Sequence, residues 1–154
     1  SCTATRNNLI PGELMKARIK WVENVSFVAE SGSGHALVMD GAPEGGGRNL
    51  GPRPMEVMLM GTGGCTAYDV VHILRKSRAP VTDCVLEIEA ERATEDPKVF
   101  TNIHFHFIVT GRGLKPAQVE RAVQLSAEKY CSASIMLGET AAITHDFEIR
   151  EAES

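Results

Sequence analysis

The sequence predicts an α+β fold with antiparallel-rich sheets, and three observations carry that expectation. Alternating apolar and polar residues mark six short strands, steps of three and four mark two helices, and the two kinds fall into separate blocks, βββ-α-ββ-α-β. A doubly wound parallel sheet would alternate strand and helix one for one. The chain has 154 residues, 43% apolar and 23% charged. That is enough for one globular domain, expected over 15–154, whose core needs neither a metal nor a disulfide.

Residues 1–14, SCTATRNNLIPGEL, show no periodicity, and MKARIKW from Met15 reads as a natural beginning. The preceding segment, Cys2 included, is therefore expected to be a tail or an added remnant. Ala17, Ile19 and Trp21 oppose Lys16, Arg18 and Lys20, which predicts a half-buried strand. Strands near 25–30 and 35–40 follow, with turns at Glu23-Asn24 and at SGSG 31–34, so the opening is an antiparallel meander. The segment APEGGGRNLGPRP (42–54) is too glycine-rich to pack and predicts a mobile loop carrying Arg48 and Arg53.

A long helix is expected from Pro54 to Arg78, ended by Pro80. Cys84, Leu86, Ile88 and Ala90 then alternate with Val85, Glu87, Glu89 and Glu91, and Ile103, Phe105 and Phe107 with His104, His106 and Ile108. These are two strands of a hairpin turning at Asp96-Pro97. Pro116 opens a second helix with a small or apolar stripe, Val119, Ala122, Val123, Ser126 and Tyr130, ending near Cys131. A last strand over 141–150 places Ile143, His145, Phe147 and Ile149 on one side.

Composition excludes several classes of function. A net charge of -4 and 5% aromatic residues, with no dense basic stripe, argue against nucleic acid as a partner. No uninterrupted apolar run reaches the roughly 18–20 residues of a membrane span, and the N-terminus lacks a signal-peptide pattern, so a cytoplasmic protein is expected. Cys2, Cys65, Cys84 and Cys131 are too few and scattered for a disulfide framework, and none pair at CxxC spacing, so no metal is expected.

The first helix is apolar around most of its circumference, so it must be covered, and with one other helix available the cover is expected from a second copy related by a two-fold. Within it GTGGC (61–65) spends three glycines, each costing about 1 kcal/mol against alanine. The glycines serve either close backbone approach by another helix or a break at Gly63-Gly64 that leaves Cys65 at a fresh helix start, where a thiol ionises more easily. Against both stands the reading that small residues merely fill a crowded crossing. Phosphate binding is excluded, because no Lys-Ser/Thr follows the glycines.

GPRPMEVMLMGTGGCTAYDVV (51–71), followed 66 positions after its cysteine by LSAEKYC (125–131), resembles the OsmC/Ohr family of thiol peroxidases, in its YhfA-type branch. KARIKWVENVSF (16–27) and FTNIHFHFIVTGRGL (100–114) extend the resemblance to nearly everything from Met15 onward. It implies an intertwined homodimer with two central helices and sites where the subunits meet. It also implies reduction of organic hydroperoxides, with Cys65 attacking the peroxide and Cys131 resolving the sulfenic acid to a disulfide. A small or protein dithiol would then regenerate the pair, and no cofactor is required. Met58, Met60 and Ile135 would favour fatty or aryl hydroperoxides.

Two departures from the family pattern bear on the thiolate. The turn after the first strand reads Glu23-Asn24 where the family places an arginine, and Pro54-Met55-Glu56 brings the family's carboxylate one position nearer the cysteine. One residue is about 100° of helix, so Glu56 is expected nearly opposite Cys65. Glu56, Arg53, Arg48 and Arg18 are the candidates for supporting the thiolate.

Asp69 and His72 share the helical face of Cys65, but His72 is about 10.5 Å along the axis and too far to serve as its base. His104 and His106 read as solvent-side histidines with no carboxylate near enough to complete a metal site, His145 as a hydrogen-bonded core histidine, and Cys84 as packing. The row Glu87, Glu89, Glu91 reads as a solvated strand face. A second function class remains open beside the peroxidase: a non-catalytic dimer that binds a small apolar ligand or senses redox state.

Overall fold

The structure is a computed structural model that describes residues 14–154. The expectation for the N-terminal tail, Cys2 with it, falls on residues outside the described ones apart from Leu14. The described residues divide into two compact units, one up to Glu56 and the other Val57–Ser154.

The first unit holds β1 (Ala17–Glu23), β2 (Ser26–Ser31) and β3 (Ala36–Met39) as an antiparallel meander in that order. Trp21 pairs with Phe27, and Phe27 with Met39. The turns fall where expected, with Asn24 at φ 49° and Gly34 at φ 90°. β1 departs from the half-buried expectation: it is exposed on both faces. Three strands make a single layer, and among the described residues of this unit no second layer faces Ile19 and Trp21.

The glycine-rich segment is also not the unpacked loop expected. It carries a one-turn 3-10 helix, Pro43–Gly45, and is organised around Asp40, which is 2% exposed. The Asp40 carboxylate accepts from the N–H groups of Gly41 at 2.7 Å, Arg48 at 3.2 Å and Leu50 at 3.2 Å. Glycine is needed there because the loop folds back on itself, and a Cβ on Gly47 would run into the Gly41 carbonyl.

The second unit carries most of α1 (Pro54–Lys76), then β4 (Val81–Arg92), β5 (Phe100–Gly111), α2 (Pro116–Leu125), α3 (Ser132–Gly138) and β6 (Ala142–Glu151). Its sheet has the order β4-β5-β6, with β4 antiparallel and β6 parallel to the central β5. A parallel neighbour needs a crossover, and the α2–α3 segment provides it. The α+β class holds, but with three helices where two were expected. The helical pattern of 116–138 is interrupted by a single π turn, Ser126–Tyr130, after which Cys131 leaves helical geometry at φ -77°, ψ 94° and starts α3. A hydrophobic pattern does not reveal a change in backbone pitch.

α1 runs unbroken through Gly63-Gly64, so Cys65 lies within a continuous helix and the break is not made. Gly63 does meet a close neighbour, but it is a strand and not the helix expected: a Cβ there would collide with Ile88 Cδ1 of β4. α1 buries Thr62, Gly63, Thr66, Val70 and Leu74, and the core beside it contains Phe105, Phe107, Val109, Val119 and Val123. The opposite side stays open in the single chain: Met60 is 53% and Tyr68 70% exposed, and Gly61 and Gly64 have no neighbour within 4 Å of an added Cβ. By length and composition alone α1 could cross a membrane.

Candidate active site

Two elements converge on the pair of sulfurs. On α1, Cys65 and Asp69 lie one turn apart on the same face, flanked by the buried Thr62 and Thr66. From the other side the π turn delivers Ser126 and Cys131. The Cys131 N–H donates to the Ser126 carbonyl at 2.8 Å, five residues back, and this wide turn aims both side chains at α1. Cys65 Sγ, Cys131 Sγ and an Asp69 carboxylate oxygen all lie within 4.8 Å of one another. A disulfide needs about 2.05 Å, so closure asks for a displacement of under 3 Å shared by two side chains.

The two thiols differ in setting. Cys65 is half-buried, whereas Cys131 is fully buried. Cys131 also caps α3: its sulfur accepts from the Ser134 N–H at 3.4 Å and from the Ser134 hydroxyl at 2.7 Å, and its S–H has the Thr62 carbonyl at 4.0 Å. Burial pushes the Cys131 thiol above its ordinary range, the two Ser134 donors pull it down, and the neighbouring Cys65 sulfur pushes it up; it stays raised.

Asp69 is held in place. The Ser126 hydroxyl donates to its Oδ2 at 3.0 Å, and since a serine has one hydroxyl hydrogen, Thr66 Oγ1 donates to Ser126 across 2.7 Å. Thr66 and Ser126 are buried, so this chain of hydroxyls is shielded from water, and the Ser134 hydroxyl on Cys131 is buried as well. A cavity of about 450 Å³ adjoins it, lined by Thr66, Phe105, Phe107, Ser134, Ile135 and Ile143 among others. The cavity thus reaches Thr66 and Ser134, the polar neighbours of the two thiols, and mixes their hydroxyls with aromatic and aliphatic side chains.

The four residues expected to support the thiolate all lie in the first unit, each with partners there. Glu56 Oε1 accepts the Arg53 N–H at 2.8 Å, capping the start of α1. Arg53 Nη1 donates to Asn49 Oδ1 at 2.6 Å and to the Gly51 carbonyl at 3.2 Å. Arg48 pairs with Glu23, and Arg18 meets Glu30 at 3.7 Å on the surface.

From the sequence, Thr66 and Ser134 carry no site role, and Ser126 stands only in the stripe of the second helix. Their signals were the i, i+4 step around Cys65 and the Cys131-x-x-Ser134 spacing, the distance at which a cap meets its helix. Asp69 was weighed only with His72, which instead stacks on Tyr68 with ring centroids 5.8 Å apart.

Two histidine expectations are corrected. The parallel pairing of β6 sets Asp146 opposite His106, and its Oδ1 lies 2.7 Å from His106 Nδ1 and 3.0 Å from His104 Nε2. Carboxylates therefore do stand beside both histidines. His145 is exposed and lines the rim of the apolar cavity instead of entering the core. Cys84 is half-buried and lines a cavity with Gly64, Tyr68 and His72, its thiol pushed up by burial and by Asp83.

The pattern of the family described as OsmC-like protein matches residues 45–146. Protein YhfA of Escherichia coli K12 is 53% identical over 135 residues, covering 88% of this chain and 98% of YhfA. A solved structure of a hypothetical protein from Aquifex aeolicus superposes with a TM-score of 0.81 at 26% identity, covering 92% of this chain and all of that one. A structure from Legionella pneumophila, described as an organic hydroperoxide resistance protein OsmC, shares the fold with a TM-score of 0.66 at 17% identity, over 88% and 97% of the two chains.

Proposed function

The chain belongs to the OsmC family, and from that premise we propose that it is a thiol-dependent peroxidase reducing organic hydroperoxides through Cys65 and Cys131. The observation that carries the reading is the meeting of two sulfurs, 66 residues apart in sequence, within 4.8 Å. The half-buried Cys65 is the one a peroxide reaches. Its thiolate attacks the nearer oxygen of the O–O bond, which breaks to release an alcohol once the leaving oxygen takes a proton, and the sulfur becomes a sulfenic acid. The Cys131 thiolate then attacks that sulfur, hydroxide leaves as water after protonation, and a disulfide forms. An external dithiol returns both sulfurs to the reduced state.

Burial of Cys131 suits the resolving role, because a sulfur shielded from solvent meets only the oxidised partner beside it. Ser134 provides two donors to its thiolate. The cavity lined by Phe105, Phe107, Ile135 and Ile143 suits the apolar tail of a fatty or aryl hydroperoxide. The Legionella neighbour carries hydroperoxide resistance in its description, and this chain shares its fold. The same cavity also favours a second reading, a non-catalytic dimer that binds a small apolar ligand.

The working form in this proposal is a cytoplasmic homodimer. The open face of α1, with Met58, Met60, Tyr68 and two uncrowded glycines, is the face a second copy would cover. Cover by lipid is the competing possibility, separated by whether the chain stays in solution at dimer mass without detergent. The functional test is titration of the reduced chain with cumene hydroperoxide. The peroxidase consumes one peroxide and two thiols per chain, and Cys65→Ser abolishes this; inert thiols at moderate excess leave the ligand-binding reading.

A further inference from the structure

We propose that the reduced pair Cys65 and Cys131, together with Asp69, binds a thiophilic divalent cation of the zinc class. Three donor atoms of matching chemistry, two sulfurs and a carboxylate oxygen, lie within 4.8 Å of one another, drawn from α1 and from the residue that starts α3. In a tetrahedral zinc site with bonds of about 2.3 Å to sulfur and 2.1 Å to oxygen, donors sit roughly 3.6–3.8 Å apart. The cluster therefore contracts by about 1 Å at most to seat an ion, less than a disulfide demands. Two thiolates select soft or borderline ions such as zinc and cadmium over magnesium or calcium.

The surroundings are those of a ligand set held for coordination. Ser126, itself buried, donates to Asp69 Oδ2 at 3.0 Å and fixes the carboxylate while leaving its other oxygen free. Ser134 donates to Cys131 Sγ from its hydroxyl and its N–H, two bonds that a metal-bound thiolate keeps. Hydrogen bonds of this kind orient ligands and tune affinity. Three protein ligands leave a fourth position, reached from the half-buried side where Cys65 and Asp69 lie, for water or an exogenous donor. Each thiol releases its proton to solvent when it binds, and no electron is transferred.

The site stands on the geometry of the reduced dithiol and goes beyond the peroxidase reading. The two meet in one consequence: an ion sharing the Cys65 lone pairs blocks attack on a peroxide, so the bound form is protected from oxidation.

The test titrates reduced full-length chain carrying Cys2→Ser and Cys84→Ser with Cd²⁺, following the sulfur-to-cadmium charge-transfer absorption and the heat of binding. One ion per chain with the absorption of two thiolates is expected. Cys65→Ser should halve that absorption and weaken binding at least tenfold, and Asp69→Asn should keep the full absorption while weakening binding about 10–100-fold. Replacing His104 and His106 with alanine should change neither. Circular dichroism of each variant confirms that it is folded. Binding without thiolate absorption, equal affinity in Cys65→Ser and the parent, or equal affinity in Asp69→Asn overturns the proposal. Peroxide consumption by the same metal-free protein is measured separately, so loss of cadmium binding with turnover intact refutes this site alone.

Discussion

Replacing Ser134 with alanine should raise the Cys131 thiol further and slow closure of the disulfide. The substitution deletes the 2.7 Å hydroxyl donor and leaves the N–H at 3.4 Å. A hydrogen bond to a charged acceptor contributes about 1.5–3 kcal/mol. At 1.36 kcal/mol per pH unit, its loss from the thiolate moves the titration about 1–2 pH units higher. Below that titration the thiolate population falls about 10- to 100-fold. The remaining thiolate is more basic and a better nucleophile, and a Brønsted slope of about 0.4–0.5 returns nearly half of the loss on a logarithmic scale. The net expectation is closure roughly 3- to 15-fold slower, with attack by Cys65 on peroxide unchanged. Thiolate absorbance against pH in a Cys2→Ser, Cys65→Ser, Cys84→Ser background gives the first quantity. Quenched single-turnover mass spectrometry, resolving sulfenic acid from disulfide, gives the second. A titration that stays put or moves down, or closure at the parental rate, would refute the role assigned to Ser134.

Four further outcomes follow from the same geometry. Burial works to raise the Asp40 carboxyl, yet three N–H donors and Arg53 hold it below the usual range; its stabilisation is present above the ordinary carboxylate range and disappears as pH falls through the depressed value. Asp40→Asn should therefore destabilise the chain at neutral pH and flatten the acid side of its stability profile in chemical unfolding. The Asp146 hydrogen bond raises His106 above about 6.5 against partial burial, so that pair stabilises below the unfolded value and is lost as pH rises through the raised folded one. Asp146→Asn should move the His106 ring resonances to a lower midpoint in NMR titration; an unmoved midpoint would contradict the pairing. Gly63→Val drives side-chain carbons into Ile88 and Leu86 and should cost about 1–3 kcal/mol in thermal or denaturant melts without changing the mass in solution. Met60→Lys on the open face should do the reverse, halving the mass while the fold persists.

The sequence alone determined the α+β class, the antiparallel pairing of β1, β2 and β3 and of β4 with β5, the extent of α1 and the two cysteines, because each rests on local periodicity or on a motif carried by consecutive residues. It reached Cys65 and Cys131 through their contexts, and Asp69 through helical spacing. What escaped it depends on distances between segments. The π turn at Ser126–Tyr130 changes which side chains face α1, and no hydrophobic pattern encodes a backbone pitch. The hydroxyl chain from Thr66 through Ser126 to Asp69 exists only because two helices meet, and the Ser134 donors only because Cys131 caps α3. The parallel register of β6 placed Asp146 beside His106, although the two residues are 40 apart in the chain. Asp40 turned a glycine-rich stretch into an ordered one by gathering N–H groups from up to ten residues away. Local patterning is written into the order of residues because it depends on neighbours along the chain. The polar contacts that tune a reactive group cross between elements, and only their packing decides them.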